Sequence, residues 1–345
     1  MPLKLSIIVP VYNGEAHLPR CLTSLLNQDV NPDQYEILII NDGSTDRTKI
    51  TAEALAEKYP QIRIVNQTNR GLGASRNIGI TLAQGKYIYF IDADDYLAYG
   101  KMRDILRLAE ENDLDMVGFK TQVTRQLDLF SSETQTEGRT SAVLSGTEFF
   151  NAYPYHRFEA WWYLIRKSHI LDNNLKFEEG KFMEDVIFTL KAIWASKRIV
   201  FRPEDIHRYV LFPKSIMNNT ESEHLERILT DYRSLIERIN SLLKESIAQD
   251  HPGEVSEHIR YVQSVNVYFM FFKIIRSSVP ISRINELLSH LRQLGVYPVD
   301  NLIGGQYHHP KIKLSLFLFN RKWLFLGALI PIRLGVRYKV LKLPF

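Results

Sequence analysis

The chain has 345 residues and a mass of 40.2 kDa; 45% of its residues are hydrophobic, 24% charged and 11% aromatic. These proportions exclude a disordered or fibrous protein, and the length predicts two or three domains. The single cysteine, Cys21, excludes an internal disulfide framework and indicates a reducing, cytoplasmic location.

The net charge of +4 is unevenly distributed along the chain. Residues 301–345 contain eight Lys or Arg and no Asp or Glu, which leaves 35 basic and 39 acidic residues in the first 300. A protein that binds nucleic acid through a generally basic surface does not have this distribution. We therefore expect no nucleic-acid partner.

The apolar run at the N-terminus ends at Pro10, and no small-residue cleavage site follows it, so we expect no secretion signal. No stretch of the sequence reaches the roughly 17 to 25 apolar residues that span a bilayer. The longest apolar stretch, residues 323–332, has ten residues.

Apolar runs and segments of helical spacing alternate over the first 120 residues. This alternation predicts an α/β fold with a doubly wound, mostly parallel, Rossmann-like sheet, whose ligands bind beyond the carboxyl ends of the strands. An N-cap is expected at Asn13 for the first helix. The predicted strands are 5–11, 35–40, 62–65, 87–91 and 116–119, and the predicted helices are 18–26, 46–59 and 72–84.

The second half of the chain follows a different pattern. Residues 121–145 are rich in Ser, Thr, Gln and Glu and predict a surface excursion. A strand at 161–166 and a helix from about Met183 follow. Beyond residue 220 helical spacing dominates, at 225–243, 254–277 and 283–294. The predicted regions are 1–215, a helical region at 216–300, and a basic, apolar segment at 301–345.

Three acidic residues, Asp92, Asp94 and Asp95, follow the strand predicted at 87–91. Carboxylates this close repel one another unless a cation lies among them, and carboxylate oxygens suit Mg²⁺ or Mn²⁺. An ordinary acidic loop that caps the next helix would contain the same residues. The pattern therefore leaves both a metal site and a structural loop open.

Two loops that precede helices carry residues suited to a nucleotide. Asp42 follows the strand at 35–40, where a carboxylate can hydrogen-bond a base or a ribose, and Gly43 allows close approach. Arg70 and Arg76 flank a helix start, where backbone N–H and guanidinium groups favour an anion such as a diphosphate. Turn and capping chemistry would also account for Asp42, and surface salt bridges for the two arginines.

Glu184 and Asp185 lie at the predicted N-terminus of the helix that begins near Met183. The helix dipole favours negative charge there. Successive helical residues point about 100° apart, so only one of the two carboxylates can face a given direction. Ordinary compensation of the dipole would also explain an acidic pair in a first turn.

Five segments stand in the order and spacing of one enzyme family: SIIVPVYNGEAHLPRCLTSLL, EILIINDGSTDRT, NRGLGASRNIGI, GKYIYFIDADDYL and EDVIF. Over residues 5 to about 215 the chain resembles the family 2 glycosyltransferases, which have the GT-A fold. The resemblance implies sugar transfer from a nucleoside diphosphate sugar, usually a UDP-sugar, with inversion at the anomeric carbon. Residues 1–215 would then be the nucleotide-sugar-binding and catalytic domain.

The resemblance also implies roles for single residues. It matches Asp185 to the catalytic base and Asp94 to the direct ligand of a divalent metal, Mn²⁺ or Mg²⁺. A base is required because a sugar hydroxyl has a pKa far above neutrality. The residues implied at the nucleotide are Pro10, Tyr12 and Asn13 at the base, Asp42 at the uracil, Arg76 nearby, Asp92 at the ribose and Ala93 beside it. Glu184, Asp95 and Arg70 are accompanying charged residues of the same motifs.

The expected partners are a nucleotide-sugar donor and a glycan or lipid-linked acceptor, as in cell-surface polysaccharide synthesis. Trp161 and Trp162 lie where family members often carry acceptor-side residues, although aromatic residues are more often part of a core. Two other functions stay open: a catalytically silent nucleotide-sugar-binding scaffold, and a nucleotidyltransferase on a related fold. The intact acidic pair and D-x-D residues argue against the silent scaffold.

The chain departs from the family pattern near the end of the catalytic domain. Many relatives have a Tyr followed by Arg and then a Ser, whereas here Val210 follows Tyr209, and Ser215 comes further on. A diphosphate contact of that Arg would have to come from another residue. The candidates are Arg208, His207 and Lys214.

The segment 311–345 combines eight basic residues with many apolar ones and has no acidic residue. Basic residues among Leu, Phe and Trp are typical of an amphipathic segment that lies in an anionic membrane surface. A helix packed on the protein through its apolar face would have the same composition. We therefore expect a cytoplasmic protein, peripheral at the membrane if the first alternative holds.

Overall fold

The fold is described by a computed structural model of the chain. The structure describes residues 2–134, 140–212, 221–248, 253–300, 302, 309–338 and 340–341. The chain divides into two compact units, Met1–Phe212 and Pro213–Phe345.

The first unit is built on one sheet of eight strands within the described residues, in the order β3-β2-β1-β4-β7-β6-β8-β5. The pairs β1–β2, β2–β3, β1–β4 and β6–β8 are parallel, whereas β7 is antiparallel to β4 and β6, and β5 to β8. The predicted α/β fold is confirmed. Strands β1 to β4 are parallel, whereas the part of the sheet from β7 to β5 contains both parallel and antiparallel pairs. The strands are β1 (Leu5–Val11), β2 (Tyr35–Asp42), β3 (Ile62–Gln67), β4 (Tyr87–Phe90), β5 (Tyr96–Leu97), β6 (Met116–Thr124), β7 (Tyr163–Arg166) and β8 (Ile199–Val210).

Helices cover this sheet and bury its apolar side chains. Every residue of β1, β2 and β4 is buried, as expected of parallel strands covered on both faces. The five predicted strands and three predicted helices of the first 120 residues are confirmed. The helices of this unit are α1 (Leu18–Leu26), α2 (Thr48–Lys58), α3 (Leu72–Leu82), α4 (Met102–Glu111), α5 (Gly146–Ala152), α6 (Lys167–Asp172) and α7 (Asp185–Ala195).

The expected N-cap of α1 is wrong. The helix begins after His17, which provides no side-chain cap, and Asn13 has a left-handed φ of 51°. The side chain of Asn13 instead accepts a hydrogen bond from Thr45 N at 2.8 Å. Asn13 therefore ties the loop after β1 to the loop after β2, a contact that local helix signals do not encode.

The segment 121–145, which we expect to be a surface excursion, has no buried residue in its described part. Strand β6 continues to Thr124, and the loop after it contacts β5: the ring of Phe130 lies 5.1 Å from that of Tyr96 and stacks on Tyr99 at 4.4 Å. Asp205 of β8 accepts a hydrogen bond from Ser132 Oγ at 2.7 Å. The polar residues of this loop therefore satisfy a buried carboxylate; residues 135–139 lie outside the described part.

Two element boundaries near the predicted site also differ. Strand β7 begins at Tyr163 rather than Trp161. Helix α7 begins at Asp185, with Glu184 as its N-cap residue, because Met183 has a left-handed φ of 58° and cannot belong to the helix. Asp185 is thus the first helical residue, and Glu184 precedes the helix.

The second unit is helical in its described residues, as predicted. Its helices α8 and α9 form a long pair, and an aromatic cluster lies against α9, in which Phe271 stacks on Phe319 at 4.5 Å. No single described helix is long and apolar enough to cross a membrane; α11 and residues Lys322–Val336 of α12 would suffice together but are bent by 111°. The helices are α8 (Ser222–Ala248), α9 (Glu254–Arg276), α10 (Ile281–Gln293), α11 (Pro310–Phe319) and α12 (Lys322–Arg337).

Candidate active site

The carboxyl ends of three parallel neighbours, β2, β1 and β4, meet at one edge of the sheet. This edge brings together residues at or just beyond the ends of those strands: Tyr12 and Asn13 after β1, Asp42 at the end of β2, and Asp92 after β4. Tyr12 has 51% of its surface exposed, so its ring is accessible to a base, while Pro10 is buried within β1. The structure thus assembles the predicted nucleotide residues where open α/β sheets bind their ligands.

Asp42 is a buried carboxylate that organises the loop before α3. It accepts hydrogen bonds from Arg70 N at 2.8 Å, Gly71 N at 2.8 Å and Gln67 Nε2 at 2.6 Å. A carboxylate offers about four acceptor positions, so one remains on Oδ2 for a ligand. Gly43 has a φ of 73° and lies against the chain itself, since a Cβ there would lie 2.7 Å from Asn69 N.

The three acids after β4 have different partners among the described residues. Asp92 accepts a hydrogen bond from Arg76 Nη2 at 2.8 Å. Asp95 is buried; its Oδ1 accepts from Val210 N at 2.8 Å, and its Oδ2 lies 3.1 Å from His207 Nε2. Asp94 differs from both: among the described residues, its carboxylate has a hydrogen bond only with its own backbone amide. Ala93, between them, is buried.

Asp94 fits a metal ion through its electrostatics. Burial, and then the charges of Asp95 and Asp92, raise its pKa to about 7. A divalent cation at this carboxylate would offset both effects. Within the described ranges, no three His, Cys, Asp or Glu side chains are arranged to hold a metal. Mg²⁺ is commonly bound by one or two carboxylates together with substrate phosphates, and Asp94 suits that kind of site.

Arg76 is a fully buried cation that joins α3 to the acidic residues after β4 and at the start of α7. It hydrogen-bonds Glu184 Oε1 and Asp92 Oδ1, and its Nη1 lies 4.0 Å from Asp185 Oδ2. Burial opposes its charge, but the three carboxylates outweigh that effect and raise the pKa of Arg76 above its ordinary value. Its guanidinium therefore pairs with acids. It does not stand open to a diphosphate at the start of α3, which is the other interpretation that the sequence allows.

Arg70 does lie at the start of α3, but it is engaged as well. Its Nη2 donates to Glu179 Oε2 at 2.7 Å, and both side chains are exposed. The surface salt bridge that the sequence left open for Arg70 is thus present. The helix start itself packs closely against the chain near α7, because a Cβ on Gly73 would lie 2.0 Å from the carbonyl oxygen of Glu178.

The acidic pair at α7 is electrostatically unusual. Burial, and then the adjacent charge of Glu184, raise the pKa of Asp185 well above its ordinary value, against the opposing effect of Arg76. Burial also raises the pKa of Glu184. A carboxylate with a raised pKa is a stronger base, and such groups concentrate at functional sites. Compensation of the helix dipole would need only one exposed acid, so it does not account for two buried acids at this position.

Both tryptophans are buried, at 2% and 3% exposure, so neither offers an open face to an acceptor. Trp161 stacks on His207 at 4.5 Å and on Tyr209 at 5.5 Å. Trp162 lines a separate cavity of about 590 Å³ beside Tyr153. Both tryptophans are therefore better described as part of the core than as acceptor-side residues, and Trp161 packs against His207.

The suggested replacements for the missing diphosphate arginine are also occupied. Arg208 is fully buried and donates to the carbonyl oxygens of Leu129, at 3.0 Å, and Ser131, at 2.7 Å. His207 is fully buried, and burial lowers its pKa to about 3, so it carries no charge for an anion. Lys214 and Ser215 lie outside the described residues.

Sequence reasoning missed Arg20 of α1. Its Nη2 donates to the carbonyl oxygen of Asp94 at 2.5 Å, and its guanidinium lies 5.5 Å from the Tyr96 ring. This contact orients the turn that presents Asp94. In the sequence Arg20 is only a single basic residue between the apolar positions Leu18 and Cys21 of the predicted helix. An ordinary solvent-exposed arginine would look the same.

Comparisons with known proteins identify the family of the chain. A family model described as Glycosyl transferase family 2 matches residues 6–179, half of the chain. EpsJ of Bacillus subtilis, an uncharacterized glycosyltransferase, is 34% identical over 64% of this chain and 66% of its own length. YibD of Escherichia coli, also an uncharacterized glycosyltransferase, is 29% identical over 69% of this chain and 71% of its own length. A poly(ribitol-phosphate) beta-glucosyltransferase of Bacillus spizizenii is 30% identical over 57% of this chain, which spans only 30% of that relative.

Solved structures share the fold. TarS 1–349 of S. aureus, solved in complex with UDP-GlcNAc, superposes with a TM-score of 0.67 over 98% of this chain and 92% of that chain, at 19% identity. A mannosyltransferase from Pyrobaculum calidifontis, in complex with GDP-Man and Mn²⁺, superposes with a TM-score of 0.51 at 14% identity. At these identities the likeness establishes the GT-A fold.

Proposed function

Since the chain belongs to glycosyl transferase family 2, we propose that it transfers a sugar from a UDP-sugar to a hydroxyl of a glycan or lipid-linked acceptor, with inversion. The observation that carries the proposal is the buried Asp185 carboxyl, with its raised pKa, in one network with Arg76 and Asp92. That network lies at the sheet edge that also carries Tyr12 and Asp42. The UDP-GlcNAc in the complex of TarS supports the choice of a UDP-sugar.

In the proposed reaction Asp185 accepts the proton of the acceptor hydroxyl. The hydroxyl oxygen forms a bond to the anomeric carbon, the bond from that carbon to the diphosphate oxygen breaks, and UDP leaves. One carboxylate suffices for this single displacement, unlike the pair that flanks the bond in glycoside hydrolases. Arg76 holds Glu184 and Asp92 in place beside the base, and Tyr12 and Asp42 hold the nucleotide.

We assign a divalent metal, Mn²⁺ or Mg²⁺, to Asp94. When bound there, the metal would neutralise the charge of the departing diphosphate as a Lewis acid. Arg20 contributes by fixing the turn through the Asp94 carbonyl oxygen. Arg70 and Arg76, at the start of α3, are both paired with acids, so neither stands open to the charge of a diphosphate. A metal at Asp94 would supply that positive charge instead.

The acceptor is proposed to be a glycan or lipid-linked saccharide of a cell-surface polymer. Relatives described as acting on poly(ribitol-phosphate) support this class. The raised pKa of Asp185 supports it too, since an unactivated sugar hydroxyl needs a strong base.

The test is UDP release by the purified full chain from a panel of UDP-sugars, with Mn²⁺ or Mg²⁺. Soluble glycosides and detergent-dispersed lipid-linked saccharides serve as acceptors. We expect Asp185→Asn to lower the rate by about 10²- to 10⁴-fold, the range for loss of a general base. Asp94→Asn should lower it as well and weaken its dependence on the metal concentration.

The matched control is Asp172→Asn, an exposed acid at the end of α6, which should retain the wild-type rate. Full activity of Asp185→Asn would refute the proposal. Release of pyrophosphate instead of UDP would identify a nucleotidyltransferase, and UDP-sugar binding without turnover would identify a silent scaffold.

A further inference from the structure

The last two described helices expose an unusual amount of apolar surface. Trp323 is 80% exposed, Tyr338 71%, Leu314 70% and Ile330 56%. Single exposed apolar residues are normal on soluble proteins, whereas a contiguous group of them marks an interaction site.

Helix α12 is apolar on two opposite sides. One side is buried and contains Phe325 and Leu329, with the Phe325 ring 5.0 Å from Phe271 of α9. The other side is exposed and contains Trp323, Gly327, Ile330, Leu334 and, just past the helix end, Tyr338. Successive helical residues point about 100° apart, which places all five within about 80° of the direction opposite to the buried side.

The exposed charged residues of α11 and of its junction with α12 are all basic. Lys311, Lys313 and Arg321 are exposed, and no Asp or Glu occurs between residues 301 and 345. The Arg321 guanidinium lies 3.6 Å from the centre of the Phe317 ring. Arg333, by contrast, is directed into the unit and donates to the carbonyl oxygen of Val279 at 2.9 Å. The basic and apolar groups are thus exposed together on α11, α12 and their junction.

We propose that the exposed side of α11 and α12 binds the surface of an anionic lipid bilayer, with Trp323, Ile330 and Leu334 entering the boundary between headgroups and acyl chains. Apolar side chains flanked by lysine and arginine are the composition of helices that lie in that boundary. A second copy of the chain suits the surface less well, because it would place like charges against one another. The proposal does not rest on the proposed function, since no substrate takes part.

The first measurement is flotation of the full chain with phosphatidylcholine vesicles and with vesicles containing 30% phosphatidylglycerol, at 0.1 M and 1 M NaCl. We expect binding to the anionic vesicles at 0.1 M NaCl and much weaker binding at 1 M, because salt screens the basic residues. Fluorescence emission should shift to the blue on binding, and Trp323→Phe should lose that shift.

The second measurement uses variants in exposed positions, which are expected to fold normally, as checked by circular dichroism. Trp323→Ser/Ile330→Ser/Leu334→Ser should bind anionic vesicles about a hundredfold more weakly. Its matched control substitutes serine at three exposed apolar positions of the first unit and should bind like the wild type: Ile50, Val123 and Leu171.

Lys311→Gln/Lys313→Gln/Arg321→Gln should also bind about a hundredfold more weakly at low salt. Its matched control, with the exposed residues Lys49, Arg103 and Arg107 changed to Gln, should bind like the wild type. The proposal is overturned if the wild type floats with neither vesicle, or if both sets of variants bind as it does. It is also overturned if the apolar triple variant merely converts a dimer into a monomer without changing lipid binding.

Discussion

Asp185 shows how one carboxylate acquires the properties of a base from its surroundings. Burial raises its pKa, the adjacent Glu184 raises it further, and Arg76, 4.0 Å away, limits the effect. A base must be deprotonated to act, so the raised pKa also sets the pH below which the proposed reaction slows.

We predict that Glu184→Gln moves the acid limb of the pH–rate profile to lower pH. The substitution removes a negative charge that raises the pKa of Asp185, so Asp185 stays deprotonated further into the acid range. The pH dependence of kcat/KM for UDP release measures the shift. Glu179→Gln, at an exposed acid paired with Arg70, should leave the limb where it is; a Glu184→Gln limb that stays in place or rises would contradict the prediction.

At the scale of elements, Arg76 acts as the connection between α3, the end of β4 and the start of α7. Its partners, Asp92 and Glu184, lie 16 and 108 residues away in sequence. Removing one member of a buried ionic network leaves uncompensated charges and typically costs about 3 to 5 kcal/mol. These three elements should therefore lose stability together when Arg76 is replaced.

We predict that Arg76→Met lowers the free energy of unfolding by about 3 to 5 kcal/mol, and more at pH 8 than at pH 6. Glu184 and Asp185 have raised pKa values even beside Arg76. Acids whose folded pKa is raised stabilise the fold only while protonated, so stability falls as pH rises through those values. Urea unfolding at both pH values measures the effect.

The control is Arg70→Met, which removes an exposed salt bridge and should cost about 1 kcal/mol or less. Equal losses for the two variants, or a larger loss at pH 6, would contradict the role assigned to Arg76.

At the scale of the whole molecule, the basic excess lies in the second unit and is confined to residues 301–345. Residues 1–212 have 25 basic and 28 acidic residues, whereas 213–345 have 18 basic and 11 acidic. All eight described strands, and every described residue that we assign to the nucleotide, the metal and the base, lie in the first unit. The membrane-binding surface that we propose lies in the second.

We predict that a fragment of residues 1–212 folds by itself and binds UDP. Its sheet and hydrophobic core involve only residues of that unit, so separation removes no strand from the sheet. Circular dichroism and calorimetric titration with UDP measure this, with the full chain as the reference. A fragment that is unfolded, or folded without UDP affinity, would contradict it.

The sequence by itself determined five of the six described strands and three of the four described α-helices that begin before residue 121, the family, and the opposite charges of the body and the C-terminal segment. Periodicity and composition encode these features because they depend on which face of a local element is buried. The resemblance to the family also selected Asp92, Asp94 and Asp185 as candidate site residues.

Only the tertiary structure decided how the charged residues pair. It directed Arg76 to Glu184 and Asp92, placed Asp95 3.1 Å from the uncharged His207, and gave the Asp94 carboxylate no side-chain partner among the described residues. The physical reason is that these partners lie between 16 and 112 residues apart, and their pairing depends on the fold and on burial. The exposed side of α12 is of the same kind, because both sides of the helix are apolar and only packing distinguishes them.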